Sequence, residues 1–112
     1  MNKSLTATLK YALTSSKKMQ LLAKLVQGKR VDDALNILEH TPKAAAQMLR
    51  KVVKSAQSNA ITNGGQQAQA LYISHITLGR GPKIGRSRFV GRSRIHAYVK
   101  HRSFVKVVLD TK

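Results

Sequence analysis

The residues best suited to chemistry lie in one run, Gly79-Arg80-Gly81-Pro82-Lys83-Ile84-Gly85-Arg86-Ser87-Arg88-Phe89-Val90-Gly91-Arg92-Ser93-Arg94. It carries Arg80, Lys83, Arg86, Arg88, Arg92 and Arg94 and no acid. A guanidinium can fork onto phosphate oxygens and stack on an unpaired base. Phe89, His96, Tyr98 and His101, interspersed through and beyond the run, add flat surfaces for the same stacking. Gly85 and Gly91 let the backbone approach a crowded partner. The chemistry implied is non-covalent recognition of RNA.

The rest of the composition agrees. The 112 residues hold 21 Lys and Arg against four acids, a formal charge of +17. A soluble domain of this size normally carries a net charge of roughly 2 to 8. An excess of this order destabilises the compact state by self-repulsion until something anionic neutralises it. The acids are also polarised: Asp32, Asp33 and Glu39 sit close together, and none follows until Asp110. No run of about 18 apolar residues exists to span a bilayer, and the basic amphipathic stretches are too poor in Trp and Phe for interfacial anchors. Absence of cysteine excludes disulfides, thiolate nucleophiles and Cys-ligated zinc. The N-terminus lacks the apolar stretch of a secretory signal and reads as mature structure.

The elements that must position the basic run can be read from periodicity. Leu5, Ala7, Leu9, Tyr11 and Leu13 alternate with polar residues, the pattern of a strand with one buried face. Thr14, Ser15 and Ser16 offer caps to a first helix with apolar positions Met19, Leu22, Leu25 and Val26, ending at a left-handed Gly28. A short second helix carries Val31, Leu35 and Leu38 and stops at Thr41-Pro42. The third and longest has the stripe Ala45, Leu49, Val52, Ala56 and Ala60, flanked by Met48 and Val53, with Lys43, Gln47, Arg50 and Lys54 opposite. That basic stripe alone is read as an ordinary solvated face. Leu71 to Leu78 and Ile95 to Leu109 are rich in β-branched residues and should pair as a hairpin. Their strands, continued into the basic connection, would form an arm on the order of 20 to 30 Å long, disordered at its tip when free. The fold class expected is α+β: three helices packed on a small antiparallel sheet, in a single domain over 1–112 with a protruding basic β-hairpin at about 70–108.

Other chemistries find little support. The glycines near Gly28 and Gly79 do not form a phosphate loop, and Pro82 removes a donor such a loop would use. The histidines His40, His75, His96 and His101 show no metal-ligand spacing. No nucleophile-elbow motif is present. We therefore expect no enzyme activity, no metal and no cofactor.

Taken in order, these segments resemble the ribosomal large-subunit protein family numbered twenty-two, of the universal type found in bacteria and organelles. The resemblance covers nearly the whole chain. It is carried by Ser15-Ser16-Lys17-Lys18, Leu25-Val26-Gln27-Gly28-Lys29, Ala34-Leu35, Ile37-Leu38, Thr41-Pro42-Lys43-Ala44-Ala45, Lys51-Val52-Val53-Lys54-Ser55-Ala56, Asn59-Ala60, Asn63, Gly81-Pro82 and Gly91-Arg92. It implies a structural constituent of the large ribosomal subunit in the cytoplasm, or in an organelle. Such a protein binds large-subunit ribosomal RNA, aids assembly, contacts neighbouring ribosomal proteins, stays monomeric within the ribosome and avoids membranes. It also implies a hairpin tip, here Gly85, Arg86, Ser87, Arg88, Phe89, Val90, Gly91 and Arg92, that lines the exit tunnel and meets the nascent polypeptide. The chain departs from the family in having Gln20 and Gln27 where Arg is common, and in a tip without the usual Pro.

The residues expected to touch RNA are Lys10, Ser15, Ser16, Lys17, Lys18, Lys29 and Arg30 around the first strand and helix. On the arm they are Arg80, Lys83, Arg86, Arg88, Arg92, Arg94, His96, Lys100, His101 and Arg102. The rival reading is a free-standing architectural DNA-binding protein, which would share the charge and a β-arm but should dimerise through an exposed apolar face.

Overall fold

In the computed structural model, residues 5–12, 16–80, 84–92, 94–100 and 102–111 are described. Strand β1 (Thr6–Ala12) leads into helices α1 (Ser16–Val26), α2 (Val31–Glu39) and α3 (Ala44–Thr62). A short turn of tighter helix at Ala68–Ala70 then precedes β2 (Leu71–Arg80), β3 (Ile84–Val90), β4 (Arg94–Lys100) and β5 (Ser103–Thr111). The three helices pack with an antiparallel sheet of order β1-β5-β2. This is the α+β class expected.

Each helix forms where periodicity and end chemistry agree. In α1, Met19, Leu22, Ala23 and Val26 are buried at helical spacing, whereas Leu25, expected inside, is 46% exposed. Val26 takes the inward place at the last turn, which turns Leu25 to solvent beside Leu21. Gly28 has φ +85°, the left-handed backbone expected of it. Asp32 and Asp33 fall in the first turn of α2, where carboxylates oppose the positive end of the helix dipole. At its other end the Thr41 hydroxyl donates to the Ile37 carbonyl at 2.7 Å. The inward stripe of α3 is as expected, with Ala46 added and Met48 at its margin.

Strand β5 is central, and Val105, Val107 and Leu109 are buried along it. Its neighbours both depart from simple alternation. In β2, Ile73 pairs with Leu109 but His75 with Val108, so Ser74 is an extra residue. This β-bulge resets the faces: Leu71 and Ile73 point to the helices before it, and Ile76 and Leu78 join the core after it. A second shift between Leu9 and Ala12 in β1 places Ala12 in the core, in the position that alternation would give Tyr11. Leu13 lies outside the described residues. Because Ser74 has no partner on β5, its deletion should leave a regular strand with Ile76 and Leu78 still inward. We expect stability within about 1 kcal/mol of the parent by urea unfolding, the size usual for changes away from core and network. A larger loss would show that the bulge itself is required.

In place of the single hairpin expected there are two separate ladders. One joins β2 to β5 as far as Arg80 opposite Ser103, and the other joins β3 to β4 from Ile84 opposite Lys100 to Val90 opposite Arg94. The β3–β4 ladder is a separate two-stranded sheet. Seven residues of β3 span about 23 Å at the rise of an extended strand. The radius of gyration is 16.8 Å and the longest dimension 61 Å. A compact chain of this length would have a radius near 13 Å, so much of the mass lies away from the core.

Candidate nucleic-acid interface

The β3–β4 ladder sorts its residues by register. Directly opposed pairs are Ile84 with Lys100, Arg86 with Tyr98, Arg88 with His96 and Val90 with Arg94. Opposed pairs share a face, and faces alternate along a strand. Ile84, Arg86, Arg88, Val90, Arg94, His96, Tyr98 and Lys100 therefore share one face by register, while Gly85, Ser87, Phe89, Ile95, Ala97 and Val99 share the other. By residue type the first face holds all of the ladder's cations, with Tyr98, Ile84 and Val90, and the second holds none of them. Gly85, Ser87, Gly91, Arg92 and Arg94 are exposed.

At the turn, Arg92 has φ +60°, a left-handed conformation uncommon for a residue with a side chain. An added Cβ at either Gly85 or Gly91 would meet nothing within 4 Å. Both glycines thus leave open space beside the backbone, as a close approach requires.

A second group of cations is gathered by the way α1 meets β2. The Gly28 amide donates to the Ile73 carbonyl, and the Ile73 amide to the Lys29 carbonyl, each at 2.9 Å. Arg30 forms an isolated antiparallel bridge with Tyr72. These bonds hold the end of α1 on the outer edge of β2. Lys17 and Lys18 at the start of the helix and Lys29 and Arg30 beyond its end are all exposed. The eleven residues between those ends span roughly 16 Å. Arg30 also has a structural task, donating from Nη2 to the Gln69 carbonyl at 3.1 Å. Arg80 is exposed at the end of β2.

Not every expected residue joins these groups. Lys10 is exposed on β1, at the opposite edge of the sheet from β2 and α1. Ser16 opens α1, but Ser15, Lys83 and His101 lie outside the described residues. Arg102 is half-buried, and its Nε and the Oγ of fully buried Ser103 have no hydrogen-bond partner among the described residues. Buried polar atoms normally find partners, and these two stand where β5 begins, next to the cationic ladder. No group of three or more His, Cys, Asp or Glu residues that could hold a metal occurs among the described residues. No described helix is long and apolar enough to cross a membrane.

Among the described residues, two of the clefts lie beside the sheet. One of about 430 Å³ lies between β1 and α3, lined mainly by Ala7, Leu9, Ala12, Met48 and Val52 with Lys51. The other, of about 460 Å³, lies between α1 and β2 and is lined by Gln20, Ala23, Lys24, Gln27, Ile76, Leu78, Gly79 and Arg80. Sequence reasoning missed the second cleft because its walls are more than 45 residues apart in the chain. Gln20 and Gln27, noted only as departures from a family pattern, line it together, and Lys24 stands between them.

Comparison with known proteins gives one consistent result. Residues 7–110 match the model of the family described as ribosomal protein L22p/L17e. The chain is 40% identical over 106 residues to the large ribosomal subunit protein uL22 of Clostridioides difficile, covering 95% of this chain and 96% of that one. It is 38% identical over 110 residues to the protein of the same name from Caldicellulosiruptor saccharolyticus, covering 98% and 90%. For that of Syntrophus aciditrophicus it is 37% over 106 residues, covering 95% and 96%.

Proposed function

The chain belongs to the ribosomal protein L22p/L17e family, and from that premise we propose that it is a non-enzymatic structural constituent of the large ribosomal subunit, bound to ribosomal RNA. The observation that carries the RNA-binding part is the register of β3 against β4. It gathers Arg86, Arg88, Arg94, His96 and Lys100 on one face with Tyr98, in a stretch where no acid occurs between Glu39 and Asp110. A face of that kind neutralises phosphates and stacks on unpaired bases. Shape rather than sequence dominates its recognition of RNA helices, because the A-form major groove is too narrow for side chains to read.

The arm extends from the body into the RNA, with its tip at Gly85 to Arg92 lining the exit tunnel and meeting the nascent polypeptide. Lys17, Lys18, Lys29 and Arg30 hold phosphates on the outside of the body. The protein is a monomer within the ribosome. Leu21 and Leu25, 66% and 46% exposed one turn apart on α1, form an apolar spot suited to a neighbouring ribosomal protein.

The test is sedimentation of the tagged protein from lysate through a sucrose gradient, before and after a high-salt wash, with the bound nucleic acid sequenced. Cofractionation with large subunits and recovery of their RNA is the expected result. Protein recovered on DNA, or free at the top of the gradient, would defeat the reading and favour an architectural DNA-binding protein.

A further inference from the structure

The cleft between α1 and β2 has a composition that neither a core gap nor a solvated surface requires. Gln20 and Lys24 on the helix and Gln27 just past its end recur at i, i+4 and i+7, a stripe about 10 Å long. Facing them are Ile76 and Leu78, followed along the strand by Arg80. The bulge at Ser74 creates this arrangement. Without it, regular alternation would set His75, Thr77 and Gly79 on the helix side.

We propose that this cleft receives one unpaired nucleotide of the large-subunit ribosomal RNA. Its base lies over Ile76 and Leu78 between the amides of Gln20 and Gln27, and its phosphates meet Lys24 and Arg80. The proposal rests on the RNA-binding reading above and names a site for it. Each part of the lining matches a part of the ligand. Aliphatic side chains take the face of a base, and a primary amide offers both donor and acceptor to a base edge. The cations take the phosphates. The volume of about 460 Å³ falls within the ~300 to 1,000 Å³ of clefts that hold a small molecule.

A duplex cannot enter a cleft walled by a helix and the strand it packs on, whereas RNA readily offers splayed-out bases from loops and bulges.

The experiment uses the full chain and bacterial large-subunit ribosomal RNA, combining affinity over a salt series with chemical probing of base edges. The parent should protect one unpaired nucleotide at its base edge. In Gln20→Leu/Gln27→Leu that protection should vanish and affinity fall on the order of tenfold, the loss of two hydrogen bonds, with the salt slope unchanged. Leucine is a strong helix former, and circular dichroism checks that α1 persists. Lys24→Gln/Arg80→Gln should instead reduce the salt slope by about 1 to 2.

A second variant, Gln20→Arg/Gln27→Arg, separates base from phosphate recognition. Loss of the protection with a steeper slope supports the proposal, and tighter binding with the protection intact overturns it in favour of a phosphate site. Unchanged footprint and affinity in the leucine variant also overturn it, while leaving the RNA-binding function standing. Failure of the parent itself to bind this RNA removes both.

Discussion

Replacing residues 81 to 102 by Asn-Gly leaves a folded body that has lost most of its hold on ribosomal RNA. Arg80 and Ser103 are directly opposed on β2 and β5, and Asn-Gly is the favoured two-residue link between opposed antiparallel strands. Among the described residues, every member of the buried core lies outside the excised segment, so the unfolding free energy should stay within about 1 kcal/mol of the parent. The excision removes Lys83, Arg86, Arg88, Arg92, Arg94, Lys100 and Arg102 and no acid. If all seven engage phosphates, counterion release at about 0.7 to 0.9 per contact makes the salt slope shallower by about 5 to 6. Affinity near 0.1 M salt should then fall by about 10³-fold or more. Filter binding across a salt series, with urea unfolding of the same protein, reads both quantities. A slope that does not change would mean that the ladder stays out of the RNA and that the cations around α1 carry the binding.

That contrast between a body and a basic ladder was largely legible in the sequence. The helices declared themselves because a 3.6-residue stripe survives tertiary packing, as Leu49, Val52, Ala56 and Ala60 do in α3. The basic ladder declared itself because a long acid-free run of arginines cannot bury its own surface. The strands were less readable, for a specific reason. One extra residue in β2 and another in β1 each invert the faces beyond them, and neither Leu9–Ala12 nor Ile73–His75 contains the glycine that often marks a bulge. Alternation therefore put Tyr11 where Ala12 is buried. The cleft was hidden for a different reason. In the sequence Gln20 and Gln27 stood out only as departures from the family pattern; the hydrogen bonds of Gly28 and Lys29 to Ile73 are what bring β2 against them and Lys24.

The cleft depends on β5, the strand on which β2 is aligned, and Val107→Asp should show how strongly. Val107 is fully buried, with Ala7 of β1 on one side and Ile76 of β2 on the other. A carboxylate there is left without a partner, whether it stays charged or takes up a proton, in a core that is almost wholly aliphatic. The cost should reach about 4 to 5 kcal/mol or more, against a total stability of about 5 to 15 kcal/mol for domains of this kind. The neighbouring Lys106→Asp is the control. Lys106 is half-exposed on the other face, opposite Thr8 and Thr77, and its replacement should change stability by no more than about 1 kcal/mol. Circular dichroism and urea unfolding at fixed salt should thus find the Val107 variant strongly destabilised, unfolding at much lower urea, and the Lys106 variant close to the parent. RNA binding must be read alongside, because an unfolded chain with this charge still attracts phosphate without a built site. The Val107 variant should retain weak, strongly salt-dependent binding and lose protection of individual nucleotides. Equal damage from both substitutions would contradict the assignment of faces on β5, and with it the placement of Ile76, Leu78 and Arg80 along the cleft.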